Sequence, residues 1–375
     1  MINRFYKNKI NDLIQENKVL VLYGPRRVGK TTLIEEFLKE YKDKYFLGFG
    51  ENKDLQDILN SQSINTIKTF FSGYELIVID EAQKIPSIGE GLKLIVDHIP
   101  KVKVIATGSS SFDLSNKLGE PLTGRQNIIK LFPIAAMELK EESGPFDLLH
   151  KLNDFLIYGS YPEVLNCNNY LDKINYLTSL RDSYLYKDIL ELKNIKNSTK
   201  ILDLLRLLAF QIGQEVSLTE LGNSLDLSKQ TVERYLDLLE KTFVIINLRG
   251  YSGNLRKEVT KTSRYYFYDN GVRNSIINNF NNIEVRNDVG QLWENYLFIE
   301  RIKKQNYKRI YSNNYFWRTY DQKEIDLVEE REGKLFGYEF KYKKNNAKPP
   351  KEWIENYKNA SFEIITKDNF IEFIT

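Results

Sequence analysis

Residues 18–41, KVLVLYGPRRVGKTTLIEEFLKEY, leave this chain few choices of fold. Lys18–Tyr23 is an apolar run of strand length, and Leu33, Ile34, Phe37, Leu38 and Tyr41 recur at helical spacing. Between strand and helix, residues 24–31 follow the pattern G-x-x-x-x-G-K-[ST]. The glycines let backbone N–H groups turn inward, and the helix N-terminus adds partial positive charge, so the loop is shaped for phosphate oxygens. Lys30 is expected to reach the β- and γ-phosphates of ATP, and the Thr31 hydroxyl to bind Mg2+. Gly24, Arg26, Gly29 and Thr32 complete the expected nucleotide-binding set.

A second signature follows in YELIVIDEAQKIP. Leu76–Ile79 reads as a buried strand that ends in Asp80-Glu81, and carboxyl ends of strands open onto the crevice where α/β sheets bind ligands. Asp80 is expected to hold Mg2+ through water, and Glu81 to orient or deprotonate the attacking water. Both acids together point to hydrolysis beyond mere binding. In KVKVIATGSSS, Thr107 and Ser109 read either as γ-phosphate sensors or as a hydroxyl-rich turn. Arg125 of EPLTGRQ reads either as an arginine that stabilises γ-phosphate charge or as a surface residue. Strands near 45–49, 76–79, 102–107 and 127–131 complete a mostly parallel sheet. GPRRVGKTTL, LIVIDEAQ and ATGSSSFDLS followed by LTGR resemble the AAA-type and STAND-type P-loop ATPases of bacteria and archaea. One departure is Thr107-Gly108-Ser109, where many AAA proteins carry Asn.

Composition adds bounds. The 375 residues suffice for two or three domains, and a net charge of +3 requires any basic patch to be local. A single cysteine, Cys167, excludes an internal disulfide framework and fits a reducing compartment; with only two histidines a zinc site is disfavoured. No apolar run reaches the roughly 18 residues of a membrane span. The N-terminal MINRFYKNKI has no apolar leader core, so the expectation is a cytoplasmic protein with no membrane partner.

Residues 136–215 read as helices with polar breaks near 141–145 and 194–199. In SLTELGNSLDLSKQTVERYLDLLEKTFVIINLRGYSG, Ser217 and Glu220 form a capping signature, and Leu218, Leu221 and Leu225 point inward. A turn at 226–227 leads to a second helix capped by Ser228, with Val232, Tyr235, Leu236 and Leu239 as its core stripe. FVIINLRGY then turns near Ser252-Gly253 and returns at RYYFYDNGV, the pattern of a winged helix-turn-helix. Lys229, Gln230 and Arg234 stand where such a helix meets DNA phosphates or base edges. The competing reading is packing against protein, and Glu233 and Asp237 weaken the positive face.

The last hundred residues carry an amphipathic helix, GQLWENYLFIERIKKQ, with Glu294 among apolar neighbours on its first turn. Three strands follow: IYSNNYFWRT, KEIDLVEE with Asp326, and GKLFGYEFKYK with Glu339 and Lys341 two apart on one face; a charged turn at Glu332-Gly333 joins the last two. Two or three carboxylates hold Mg2+, and a lysine orients or deprotonates the water that attacks a phosphodiester. Glu294, Asp326, Glu339 and Lys341 in this order resemble the PD-(D/E)XK, or restriction-endonuclease-like, superfamily, with Ile325 at the nominal proline. The alternative is a salt-bridged sheet face without catalysis. Lys343, Lys344, Lys348 and Lys351 read as a phosphate-binding rim or as a solvated loop.

The expected fold class is therefore α/β multidomain: a P-loop NTPase parallel sheet, a helical and winged-helix middle, and an α/β nuclease-like C-terminal domain. The expected boundaries are 1–135, 136–199, 200–275 and 276–375. The whole resembles prokaryotic ATPases that join a P-loop module, a winged helix and a nuclease-like domain. That resemblance implies ATP and Mg2+ as cofactors and DNA as a partner, with a protein partner or self-association left open. The expected function is ATP hydrolysis coupled to action on DNA, with Mg-dependent cleavage at the C-terminal domain; the alternative is an ATP-driven switch that binds without cutting.

Overall fold

A computed structural model describes residues 2–109, 121–186, 198–252, 262–319, 323–343 and 348–375. Lys344 and Gly253 lie outside the described residues. The chain divides into two compact units, residues 3–132 with 241–243, and residues 133–240 with 244–375.

In the first unit, β1 (Val19–Tyr23), β2 (Tyr45–Phe49), β3 (Leu76–Asp80), β4 (Lys103–Gly108) and β5 (Gln126–Lys130) form a sheet ordered β2-β3-β4-β1-β5. Every pairing is parallel. Val19–Leu22 and Leu76–Ile79 are buried without alternation, because helices cover both faces of a parallel sheet. On one face Val19, Val21, Ile77, Ile79, Val104 and Ala106 pack with Leu55, Leu59, Ile67, Leu92 and Ile95 from the covering helices. Burying each such side chain contributes about 1.5–3 kcal/mol. Parallel strands deliver their carboxyl ends to one rim, so Gly24, Asp80 and Gly108 emerge on the same side. This is the parallel sheet expected of a P-loop NTPase, and its strands lie within a residue or two of the expected positions.

The second unit opens with the helix Ala136–His150, interrupted where Gly144 (φ 81°, ψ 170°) precedes Pro145, inside the polar break expected at 141–145. Further along come the helix Ser198–Phe210, β6 (Glu215–Val216), the helices Leu218–Leu225 and Lys229–Lys241, then β7 (Ile245–Gly250) and β8 (Ser263–Phe267). Ser217 caps the first of these two helices by accepting from Glu220 N at 3.3 Å. Asp226 (φ 53°) ends it in the left-handed region, and Leu227 N donates to Gly222 O at 2.8 Å. Ser228 Oγ accepts from Thr231 N at 3.2 Å and starts the second helix, whose buried stripe is Val232, Tyr235, Leu236 and Leu239.

The chain then runs through the helix Val289–Lys308, β9 (Asn313–Arg318), β10 (Glu324–Arg331), β11 (Lys334–Phe340), the helix Lys351–Asn356, β12 (Ala360–Ile365) and the helix Phe370–Ile374. Glu332 (φ 53°) and Gly333 (φ 71°) make the tight turn between β10 and β11. Among the described residues, seven strands of this unit join one sheet, β12-β11-β10-β9-β7-β8-β6. The link is a short parallel pairing of Arg249 and Gly250 on β7 with Tyr315 and Phe316 on β9. A helical lid or linker at 136–199 and domains at 200–275 and 276–375 were expected from sequence; residues 133–240 and 244–375 pack as one compact unit that contains a shared sheet.

The helix Val289–Lys308 also departs from expectation. It is buried on nearly every face, because β8 and β11 contact it along with the helices Leu152–Tyr158 and Phe370–Ile374. Its polar residues are paired inside. Arg301 clamps Glu329 at 2.5 and 2.9 Å, Lys303 meets Glu300 at 2.6 Å, and Asn295 bonds the backbone N and O of Phe267 at 2.7 and 3.1 Å.

Candidate functional site

The glycine loop of the first unit leaves β1 through Gly24 and enters the helix Lys30–Glu40 through Gly29. Gly24 (φ 155°), Arg27 (φ 58°) and Gly29 (φ 91°) turn the backbone, and a Cβ on Gly24 would collide with the Leu131 carbonyl. Lys30 is buried, and its Nζ donates to the carbonyls of Gly24 at 3.0 Å and Pro25 at 2.9 Å. Burial lowers its pKa to about 8, against the pull of Glu81 and Asp80. Such a lysine lacks a full counter-charge, which phosphate oxygens would supply. Arg26 is half-buried in the loop, and Thr32 is exposed on the first helical turn.

Thr31 Oγ1 donates to Asp80 Oδ2 at 2.7 Å. Asp80 is 4% exposed, and its other oxygen accepts from the Thr107 hydroxyl and from Glu81 N at 3.1 Å. Adjacent hydroxyl and carboxylate oxygens of this kind are what a hard cation takes, so Thr31 and Asp80 fit Mg2+. Glu81 occupies the left-handed region (φ 50°, ψ 43°), an unfavourable setting for a non-glycine residue that fixes where its side chain leaves β3. Gly50 N donates to Asp80 O at 2.8 Å, and a Cβ on Gly50 would overlap the Glu81 carbonyl. Gln83 Nε2 donates to Glu81 Oε2 and to Ser109 Oγ at 3.0 Å; Ser109 Oγ also lies 3.3 Å from Glu81 Oε2. Ser109 thus sits beside Glu81. Gln83 was not anticipated, although it follows the two acids in DEAQ.

Arg125 requires a correction. It immediately precedes β5, whose Gln126 aligns with Val19 at the start of β1, and its guanidinium pairs with Asp97 at 2.7 Å. That is the amino end of the parallel sheet, about 15 Å from the phosphate-loop rim at roughly 3.3 Å per strand residue. Arg125 is therefore not positioned to meet a γ-phosphate.

In the second unit the structure draws Glu294 and Asp326 to one guanidinium. Arg264 Nη1, on β8, lies 3.8 Å from Glu294 Oε1 and 3.7 Å from Asp326 Oδ1, and Nη2 donates to Glu324 Oε2 at 2.6 Å. Tyr266 Oη donates to Glu294 Oε1 at 2.6 Å. Asp326 Oδ2 accepts from Phe340 N at 2.8 Å, and Lys341 Nζ pairs with Glu339 Oε1 at 2.6 Å. The register of β9 against β10 shifts between Ile325 and Val328, and all four residues there are buried. This bulge sends both Asp326 and Leu327 inward. Burial pushes Glu294 up to about 7 and Asp326 well above the usual carboxylate range, with Glu294 and Glu339 adding to the rise at Asp326.

Among the described residues no three acidic, histidine or cysteine side chains are disposed to hold a metal ion. The expected ligand set Glu294, Asp326 and Glu339 thus does not fit a cation as it stands. Arg264 and Tyr266, both missed in the sequence, engage the acids instead. Their signal was slight: an arginine and a tyrosine two apart in a strand, hence on one face.

Lys229, Gln230 and Arg234 are exposed on the outer side of the helix Lys229–Lys241, with Lys229 3.9 Å from Glu233. Lys343, Lys348 and Lys351 are exposed. Among the described residues no helix is long and apolar enough to cross a membrane.

Comparison with known proteins matches three successive stretches of the chain. Residues 16–140 match the family model described as AAA domain. Residues 149–283 and 289–370 match two models described as domains of unknown function, DUF8612 and DUF4143. The chain is 25% identical over 329 residues to the uncharacterized protein Rv2008c of Mycobacterium tuberculosis, covering 86% of this chain and 70% of that one. It is 26% identical over 367 residues to an uncharacterized protein of Haemophilus influenzae, covering 88% and 84%. Among solved structures it resembles the Walker-type ATPase PABY2304 of Pyrococcus abyssi, at 18% identity and a TM-score of 0.48, over 74% of this chain and 96% of that one. The AAA-domain match, with the parallel sheet and its phosphate loop, supports an ATPase-like function for residues 16–140.

Proposed function

We propose that the protein binds ATP and hydrolyses it, and uses the cycle as a switch for its C-terminal half. The observation that carries this reading is the assembly of Lys30, the Thr31–Asp80 pair and a Glu81 held by Gln83 and Ser109 on one rim. Lys30 exchanges its two loop carbonyls for β- and γ-phosphate oxygens. Thr31 and Asp80 hold Mg2+, which neutralises charge on those phosphates when bound. Thr107 fixes Asp80, so the carboxylate needs little reorganisation. Glu81 aligns the attacking water and takes its proton, with Gln83 and Ser109 keeping its carboxylate aimed. Phosphate release from ATP, followed in the parent and in Lys30→Ala, tests this: release in the parent that is lost in the variant is expected, and equal release in both contradicts it.

For the second unit the reading favoured is a nuclease-like domain that binds nucleic acid without cutting in the arrangement described. The helix–strand–strand–strand–helix–strand order from Val289 to Ile365 and the convergence of Glu294 and Asp326 support the kinship. The engagement of the acids by Arg264 and Tyr266 favours binding over cleavage. Two capped helices and the β7–β8 hairpin support a winged helix-turn-helix, with Lys229, Gln230 and Arg234 facing phosphate or base edges. Triple substitution of these three to Ala is expected to weaken DNA binding about tenfold or more at low salt and to flatten its salt dependence. Unchanged binding would leave that helix a packing element only.

A further inference from the structure

The first unit takes three residues from far along the chain. At the end of the helix Lys229–Lys241 the backbone contributes Lys241–Phe243 to this unit, then rejoins the second unit at Val244. Phe243 is 5% exposed and stands in the left-handed region (φ 59°). That conformation is unfavourable for a bulky residue and persists only where its surroundings over-determine it. The Phe243 ring stacks on Tyr23, with centroids 5.5 Å apart and planes at 30°. Lys130 Nζ lies 4.6 Å from the centre of the same ring and 4.9 Å from that of Phe132. Ring stacking and the pull of an amine toward aromatic faces hold this group together.

The partners of Phe243 are the footing of the phosphate loop. Tyr23 ends β1 and immediately precedes Gly24, and Lys130 is its register partner at the end of β5. Leu131 N donates to Tyr23 O at 2.8 Å, and the Leu131 carbonyl lies so close to Gly24 that a Cβ there would come within 2.0 Å of its oxygen. Phe132 O accepts from Arg4 Nη2 at 2.7 Å, and Arg4 Nη1 donates to Val28 O inside the loop. The stretch Lys130-Leu131-Phe132 thus bears on the loop directly at Gly24 and, through Arg4, at Val28. Phe243 packs on the side chains at the Tyr23–Lys130 end of this footing.

We propose that Phe243 is a positioning residue for the nucleotide: it fixes Tyr23 and Lys130, and through them the backbone of the phosphate loop. Affinity for ATP then depends on a side chain outside residues 16–140, the stretch that matches the AAA domain. This rests on the reading of the loop as an ATP site. Such a loop binds phosphate through backbone N–H groups, whose directions are set by the backbone on either side. Loss of the Phe243 ring removes one of the faces that hold Tyr23 and Lys130, and the loop then samples orientations of which only some bind. The apparent Kd rises in inverse proportion to the competent fraction. By reciprocity, bound nucleotide holds Phe243 in place by the same factor.

The test is titration of a fluorescent ATP analogue with Mg2+ into the full chain, in the parent, in Phe243→Gly and in Phe243→Tyr. Glycine takes a positive φ without strain, so Phe243→Gly removes the ring and keeps the turn. The expected result is a Kd about tenfold or more higher in Phe243→Gly, with Phe243→Tyr within about threefold of the parent. Turnover at saturating ATP is expected to stay within about threefold of the parent in both variants, because Glu81, Gln83 and Ser109 are held together where β3 and β4 end. An unchanged Kd in Phe243→Gly, even with a lower melting temperature, overturns the proposal and leaves the assignment of the loop to ATP standing. No nucleotide binding in the parent overturns both. Hydrogen exchange of the parent needs no variant and covers the case in which Phe243→Gly fails to fold. Saturating analogue is expected to slow exchange in residues 242–244 about tenfold, and unchanged exchange there contradicts the proposal.

Discussion

At the scale of single residues, charge state and aim decide function. Lys30 titrates near 8 because burial outweighs the attraction of Glu81 and Asp80. Bound phosphates raise that value, since they favour the charged form. Below about pH 8 the lysine is protonated with or without nucleotide, and affinity is flat. Above it the unliganded form loses its proton while the complex keeps it, so affinity falls by up to about tenfold per pH unit until the complex titrates too. Fluorescent-nucleotide titrations from pH 6 to 10 should show that break, and a flat profile would separate Lys30 from the phosphates. Gln83 matters differently, through Glu81 and Ser109. Gln83→Ala is expected to slow hydrolysis about tenfold with nucleotide affinity unchanged, a smaller loss than the 10²-fold or more expected on removing a general base. Lys30, Thr31, Asp80 and Glu81 were legible because strand, loop and helix constrain them within a few positions. Gln83 and Arg264 were not: Gln83 reaches Glu81 two residues away, but its bond to Ser109 and the partners of Arg264 are set by long-range pairing that no local spacing encodes.

At the scale of elements, the same contrast holds for strands and helices. Parallel strands announce themselves as unbroken apolar runs, and the five of the first unit stand where the sequence puts them within a residue or two. The helix Val289–Lys308 conceals its burial, since Asn295, Glu300, Arg301, Lys303 and Gln305 look like a solvent face until their partners are known. Glu329 is wholly buried and held by Arg301 through two bonds. Gln305 and Arg331 also donate to Glu329, at 2.8 and 3.1 Å, so Arg301→Met should destabilise the unit by about 1.5–3 kcal/mol, through the lost charge-assisted bonds, whereas adding Glu329→Leu should restore part of the loss. Chemical denaturation of the two variants checks this. The bulge at Ile325–Val328 was likewise illegible, since strand alternation alone would turn either Asp326 or Leu327 outward.

At the scale of the whole molecule, one sheet joins the β7–β8 pair to the C-terminal strands. A fragment of residues 276–375 lacks β7, β8, Arg264 and Tyr266, so it should unfold without cooperativity, whereas residues 133–375 should melt in a single transition. Independent folding of 276–375 would show that the hairpin is dispensable. The boundaries read from sequence followed motif changes, and a sheet that runs across such a change leaves no mark in composition. Steady-state phosphate release from ATP with Mg2+, with nucleotide binding measured alongside, separates the parent, Lys30→Ala and Glu81→Gln. Turnover is expected in the parent, no nucleotide binding in Lys30→Ala, and nucleotide binding with turnover reduced about a hundredfold or more in Glu81→Gln. Undiminished turnover in Glu81→Gln would contradict the hydrolytic role of Glu81.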